Sequence, residues 1–102
     1  MAFRINDPKT RINGTSLQGY LDITFQELLL TLGEPQTNYD KSLAHWTILG
    51  SIQGNWIVAT IYDNRTSYDV ERITDWHIGG YDQKALQLVR RAIDLANVKS
   101  LK

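Results

Sequence analysis

The chain has 102 residues, and eleven Lys and Arg residues balance eleven Asp and Glu residues, so the formal net charge at pH 7 is zero. The length predicts one domain spanning residues 1–102. Cysteine is absent, which excludes disulfides, zinc–thiolate sites and thiol nucleophiles. The balanced charge argues against a nucleic-acid-binding protein, and the sequence holds neither an apolar run that would span a bilayer nor an N-terminal leader. We expect function to reside on the surface, because so small a domain leaves little volume for a deep cleft.

The N-terminal region predicts one strand after a less regular segment. Residues 1–15 combine charged residues with two turn signals, and they predict either a flexible tail or an edge strand around Phe3 and Ile5. We favour the tail. From Ser16 to Ile23 apolar and polar residues alternate, which indicates a half-buried strand.

A short helix is predicted over residues 24–33. Thr24 and Glu27 have the spacing of a capping box, and Gly33 followed by Pro35 predicts the helix end. Four apolar residues recur at helical spacing and define one buried face: Phe25, Leu28, Leu29 and Leu32.

Three strands are predicted next. Residues 43–52 and 56–62 are rich in β-branched and aromatic residues, and the intervening Gln53-Gly54-Asn55 indicates a hairpin. After a polar loop, residues 73–78 predict a third strand. Gly79-Gly80 then predicts a turn that needs positive φ.

A long helix is predicted over residues 82–97, because its apolar residues fall on one half of the circumference. They are Ala85, Leu86, Leu88, Val89, Ala92, Ile93, Leu95 and Ala96. The element order is therefore β-α-β-β-β-α. It predicts an α+β fold, with an antiparallel sheet of three to five strands and two helices on one face.

The sequence offers no catalytic constellation. Its two histidines, His45 and His77, lie outside any nucleophile motif. His77 and Asp75 would point to the same face of a strand, but a metal site would need further ligands such as Asp63 or Asp69. We therefore predict neither a metal site nor any other cofactor, and we expect that the protein is not an enzyme.

The glycine pair before the long helix does not predict a phosphate site. Backbone N–H groups at a helix start attract anions, but Asp82 follows Gly79-Gly80 closely and already supplies a carboxylate. A P-loop would also need a Lys and a Ser or Thr after the glycines.

Aromatic residues are concentrated in the sheet region. In the second hairpin strand Trp56, Val58, Thr60 and Tyr62 alternate with Ile57, Ala59 and Ile61. Only one of these two faces can meet the helices, so the other is expected to be open and to carry aromatic rings. An open aromatic face is typical of a surface that binds a partner.

Four segments resemble a family of small tailed-bacteriophage accessory proteins. They are Leu32-Gly33-Glu34-Pro35, Ala44-His45-Trp46, Ala59-Thr60-Ile61-Tyr62-Asp63 and the closing Asp75-Trp76-His77-Ile78-Gly79-Gly80. The resemblance covers about residues 12–96, but the loop after Asp63 lacks the Lys expected there. It implies a protein in the cytoplasm of the bacterial host that acts by binding and blocking. The implied targets include CRISPR or other antiviral-defence effectors.

The leading hypothesis is a non-enzymatic inhibitor that binds a host bacterial protein through this aromatic face and the loop beside it. The residues predicted to contact the partner are Trp56, Tyr62, Asp63, Asn64, Arg65, Tyr68, Trp76 and His77. No membrane partner is expected, and nucleic acid is disfavoured by the charge.

Two alternatives stay open. The first is a sponge for a signalling nucleotide such as a cyclic dinucleotide, in which Trp and Tyr rings stack on the base and Arg65 or Arg72 meets phosphate. That reading requires a homodimer to build a deep enough pocket. The second is a virion or assembly component.

Overall fold

The structure, a computed structural model, describes residues 3–37, 43–63 and 69–100, with side chains up to residue 95. Its elements in chain order are β1 (Arg4–Ile5), β2 (Ser16–Asp22), α1 (Phe25–Leu32), β3 (His45–Ile52), β4 (Asn55–Tyr62), a 3₁₀ turn (Val70–Arg72), β5 (Asp75–Gly80) and α2 (Lys84–Ser100). The strands form one antiparallel sheet in the order β1-β3-β4-β5-β2. The predicted α+β class and the element order are confirmed, with β1 added at the start.

The N-terminal segment forms an edge strand, so the preference for a flexible tail is wrong for the described residues 3–15. Arg4 and Ile5 pair with Leu49 and Ile48 of β3. The next residue, Asn6, has a positive φ of 56°. Its side chain accepts a hydrogen bond from the N–H of Thr47 at 2.9 Å and donates one to the carbonyl of Glu34 at 2.9 Å. These contacts fix the segment, and nothing in its composition indicated them.

Helix α1 has the predicted termini. Thr24 Oγ1 accepts a hydrogen bond from the N–H of Glu27 at 3.1 Å. At the other end Gly33 has a φ of 84°, and its N–H donates to the carbonyl of Leu29 at 3.0 Å. Leu28 and Leu32 are buried, as the apolar spacing predicted.

The predicted hairpin is present, and it defines the two faces of the sheet. The loop residues Gln53 and Gly54 have φ values of 51° and 81°, as a type I′ turn requires. In β4, Ala59 and Ile61 are fully buried. Their face is the one that carries both helices.

Gly79 and Gly80 correct the sequence analysis, because both lie inside β5 and neither has a positive φ. The lack of a side chain at these two glycines lets atoms of neighbouring elements approach the backbone of β5 closely. A Cβ on Gly79 would lie 2.5 Å from Thr60 Oγ1, and a Cβ on Gly80 would collide with the Cβ of Ala85 in α2. The strand therefore continues two residues further than predicted, and Gly80 lets α2 pack directly on the sheet.

Helix α2 begins two residues later than predicted. The side chain of Asp82 accepts a hydrogen bond from the N–H of Lys84 at 2.8 Å, so it acts at the helix start as expected. The helix buries five of the predicted apolar residues: Ala85, Leu88, Val89, Ala92 and Ile93.

Three aromatic rings join the helix layer to the sheet. Trp46 and Trp76 are fully buried, with ring centroids 5.5 Å apart, and Phe25 of α1 packs on both. Each indole N–H is paired: Trp46 donates to the carbonyl of Gly33 and Trp76 to that of Ile23, both at 3.0 Å. The cluster satisfies its polar atoms while burying large apolar surfaces.

Candidate functional site

The open face is the side of the sheet opposite the two helices. Strand register brings one side chain from each of four strands into a row across it, since directly paired residues share a face. In the order β3, β4, β5, β2 the row is His45, Tyr62, His77 and Tyr20. Rings therefore continue across the open face from Tyr62, whose side of β4 the alternation predicted to carry aromatic residues.

His77 lies between two tyrosines in this row. Its ring centroid is 5.2 Å from that of Tyr20 and 5.4 Å from that of Tyr62, both in edge-to-face geometry. Burial, and secondly the neighbouring Tyr20, raise the pKa of Tyr62. Its hydroxyl therefore remains protonated and able to donate a hydrogen bond at neutral pH. Tyr20 itself is 65% exposed and marks the accessible end of the row.

The row next to it is buried, although both described helices lie on the other side of the sheet. It contains Thr47, Thr60 and Gly79, which are directly paired across β3, β4 and β5. At the far side of this row, β4 leads to Trp56, which is 68% exposed. In β3, β4 and β5 this buried row thus separates two accessible parts of the open face, one around Tyr20 and one around Trp56. Trp56 and Tyr62 lie six residues apart on one strand, about 20 Å.

His45 is buried at the β3 end of the aromatic row. Its Nε2 lies 3.3 Å from Thr47 Oγ1, and burial lowers the pKa of its imidazole. The unfolded chain therefore binds a proton at a higher pH than the folded chain does.

We expect the free energy of unfolding to fall as the pH is lowered through the unfolded-state pKa of about 6.5, by up to ~1.4 kcal/mol per pH unit. The loss begins near the unfolded-state pKa and ends below the folded-state pKa. Urea unfolding at several pH values measures it. The His45→Gln variant should flatten this dependence. An unchanged slope in His45→Gln would assign the pH dependence to other groups.

Two of the predicted contact residues are not accessible, which corrects the sequence analysis. Trp76 is fully buried in the aromatic core, because β5 turns its ring toward α1. Asp63 is 1% exposed. Its Oδ1 accepts hydrogen bonds from the N–H groups of Leu43 at 2.8 Å and Ala44 at 2.9 Å. Asp63 therefore ties the end of β4 to the start of β3.

The other predicted residues divide into two groups. Tyr62 and His77 are half-buried and in contact, and Trp56 is exposed at a distance from them. Asn64, Arg65 and Tyr68 lie outside the described residues. Arg72, considered for phosphate binding, forms an ion pair with Asp69 at 3.4 Å in the 3₁₀ turn. It belongs to no strand of the open face.

Three exposed apolar residues on or beside the open face were not among the contact residues predicted from the sequence. Leu17 and Tyr20 lie on the outer strand β2, and Tyr81 follows β5; Leu17 is 46% and Tyr81 52% exposed. A β-bulge between Leu17 and Gly19 places Leu17 opposite Gly79 of the open face. Simple alternation assigned Leu17 to the buried side, since it cannot detect a bulge.

A cavity of about 180 Å³ adjoins the Trp56 part of the open face, lined by Trp56, Ile57, Val58, Tyr81 and Asp82. In the part of the chain that the structure describes, no three His, Asp or Glu side chains cluster as a metal site would require. Within those same ranges, no helix is long and apolar enough to cross a membrane. Asp75 and His77, the pair considered for metal binding, do share the open face.

Comparisons of the chain with protein-family models, with curated proteins and with solved structures give no match. The fold and the site geometry therefore carry the functional argument.

Proposed function

We propose that this protein is a non-catalytic binding protein that attaches to another protein through the exposed aromatic residues of its open face. The observation that carries this proposal is the exposure of Trp56 and Tyr20 on the side of the sheet opposite the two described helices. Exposed rings of this size are costly in water and are strongly enriched at the centres of protein interfaces.

The composition of the open face supports a protein partner. Its accessible parts combine large rings with neighbouring carboxylates. Examples are the exposed Asp22 of β2 and Asp75 of β5, which lie opposite each other in the strand register. Apolar centres with polar borders are the usual composition of protein interfaces. The rings are held on strands of a sheet, so binding requires little ordering of the contact surface.

The resemblance to tailed-bacteriophage accessory proteins supports the identity of the partner class. We propose that the partner is a bacterial protein, such as an antiviral-defence effector, that the protein blocks by occupying one of its surfaces. On this proposal the protein acts in the cytoplasm of the bacterial host, and inhibition requires only occupancy.

Removal of either exposed ring is expected to weaken partner binding by about 30-fold or more, which is the effect of losing an interface hot spot. The variants are Trp56→Ala and Tyr20→Ala. The matched control is Leu30→Ala, because Leu30 is 75% exposed but lies on α1, in the helix layer. Isothermal titration calorimetry with a partner isolated from host lysate and then purified measures the affinities.

Circular dichroism establishes that each variant is folded before its affinity is compared. Wild-type affinity in both aromatic variants would overturn the proposed surface. A larger loss in Leu30→Ala than in the aromatic variants would place the contact on the helix layer instead. The nucleotide alternative is tested separately by native mass spectrometry, in which a nucleotide would co-purify with the chain.

A further inference from the structure

We propose that the cavity between Trp56 and Tyr81 binds the guanidinium group of an arginine side chain presented by the partner protein. This inference rests on the proposed function, since it gives the chemistry of one contact on the same surface. It concerns a site that the sequence patterns did not indicate, because Tyr81 and Asp82 are remote from Trp56 along the chain.

The cavity arises because β5 covers only half of β4. The two strands pair from Ala59↔Gly80 to Tyr62↔His77, so residues 55–58 of β4 have no partner in β5. After Gly80 the chain turns away toward α2 and places Tyr81 and Asp82 beside this uncovered part of the strand. The resulting space of about 180 Å³ is lined by Ile57 and Val58 of β4 and by an aromatic residue at each strand end.

Two rings border the cavity without touching each other. Trp56 and Tyr81 are both more than half exposed, and they form no ring contact with one another. The Tyr81 hydroxyl donates to the carbonyl of Asn13 at 2.8 Å and lies 3.2 Å from that of Arg11, which fixes the position of its ring. A planar cation between two such rings is attracted by their negative faces.

The charge of the lining selects a cation. Asp82 is the one ionisable carboxylate among the lining residues, and no Lys or Arg lines the cavity. One of its oxygens, Oδ1, accepts the N–H of Lys84, and Asp82 forms no ion pair with any residue that the structure describes. An incoming cation would therefore meet a carboxylate that has no counter-ion among the described residues.

Arginine fits these features better than lysine. Its guanidinium is planar and weakly hydrated, so it stacks on indole and phenol rings while its N–H groups bond to a carboxylate. Lysine presents a compact, strongly hydrated charge that gains less from stacking. The volume of the cavity suits the end of one side chain and is below the size typical of pockets for free ligands.

The test is an NMR titration of the intact protein with penta-arginine amide, using penta-citrulline amide as the neutral isosteric probe. We expect penta-arginine to shift the indole N–H signal of Trp56 and the methyl signals of Val58, and penta-citrulline to shift neither. Trp56→Ala and Asp82→Asn should each weaken binding at least about fivefold. Asn at position 82 retains the ability to cap α2, so Asp82→Asn tests the charge rather than the helix.

The matched control is Asp94→Asn, which removes an exposed carboxylate from the outer side of α2. Equal shifts with both peptides, equal losses in Asp94→Asn and Asp82→Asn, or shifts confined to another surface would each overturn the inference. So would a dimer in sedimentation experiments that Trp56→Ala dissociates, because a second copy would then occupy the cavity. If penta-arginine fails to bind while Trp56→Ala still abolishes partner binding, the inference fails and the proposed function stands. If neither Trp56→Ala nor Tyr20→Ala affects partner binding, the proposed function fails.

Discussion

Replacing Trp76 with alanine is expected to lower the free energy of unfolding by about 3–5 kcal/mol, the usual cost of removing a buried aromatic side chain. The indole is fully buried between Phe25 and Trp46. Its removal leaves a cavity. It also leaves the carbonyl of Ile23 without the hydrogen bond that the indole N–H donates at 3.0 Å. Urea unfolding followed by circular dichroism measures the loss.

The matched control is Trp56→Ala, which changes the same residue type at an exposed position of the same sheet. Its cost should stay below about 1 kcal/mol, within the range of strand propensities. Similar losses in the two variants would contradict the assignment of Trp76 to the core and Trp56 to the surface. A loss of partner binding in Trp76→Ala is expected only to the extent that the protein unfolds.

Asp63→Ala is expected to lower the free energy of unfolding by about 2–4 kcal/mol, because hydrogen bonds to a charged group are lost and their donors are left unpaired. The carboxylate accepts from the N–H groups of Leu43 and Ala44, and Ala44 is itself buried. These two N–H groups have no other acceptor among the described hydrogen bonds. The substitution therefore leaves two unpaired backbone donors at the start of β3. Thermal and urea unfolding both report it.

Asp63→Asn serves as the control for the carboxylate charge. Its amide oxygen still accepts both N–H groups, so we expect a loss of less than half that of Asp63→Ala. Stability equal to wild type in Asp63→Ala, together with weaker partner binding, would return Asp63 to the contact surface that the sequence suggested.

Local signals in the sequence predicted the local features of the fold. The boundaries of α1 follow from Thr24 and Gly33, and the hairpin follows from Gln53-Gly54, because caps and tight turns are formed by neighbouring residues. The alternation in β4 also separated the residues of its two faces correctly, but it did not indicate that Thr60 of the open face is buried. These features require no knowledge of the remainder of the chain.

Features that depend on distant packing were missed. The glycine pair in β5 looks like a turn in the sequence. In the structure glycine is required there because Ala85 and Thr60, from other elements, leave no room for a side chain. Trp76 was placed on the surface because aromatic density alone does not distinguish a core ring from a contact ring. Its neighbours, Phe25 and Trp46, lie 51 and 30 positions earlier in the chain.

The candidate site was predicted in part for the same reason. Trp56 and the open face follow from alternation within one strand. Tyr20 enters the aromatic row only because β2 is placed next to β5, which is a property of sheet order. Tyr81 and Asp82 meet Trp56 only because β5 ends its pairing early.

The sheet order has a consequence for how the chain folds during synthesis. The two outermost strands, β1 and β2, both come from the first 22 residues, while the three central strands come from residues 45–80. The N-terminal strands leave the ribosome first, yet they have no edge to join until the central meander has formed. Consecutive antiparallel strands have short sequence separations and form early, whereas the outer pairings must close long loops. Loss of the N-terminal segment would uncover both edges of the meander together, and such unpaired edges are sites of aggregation.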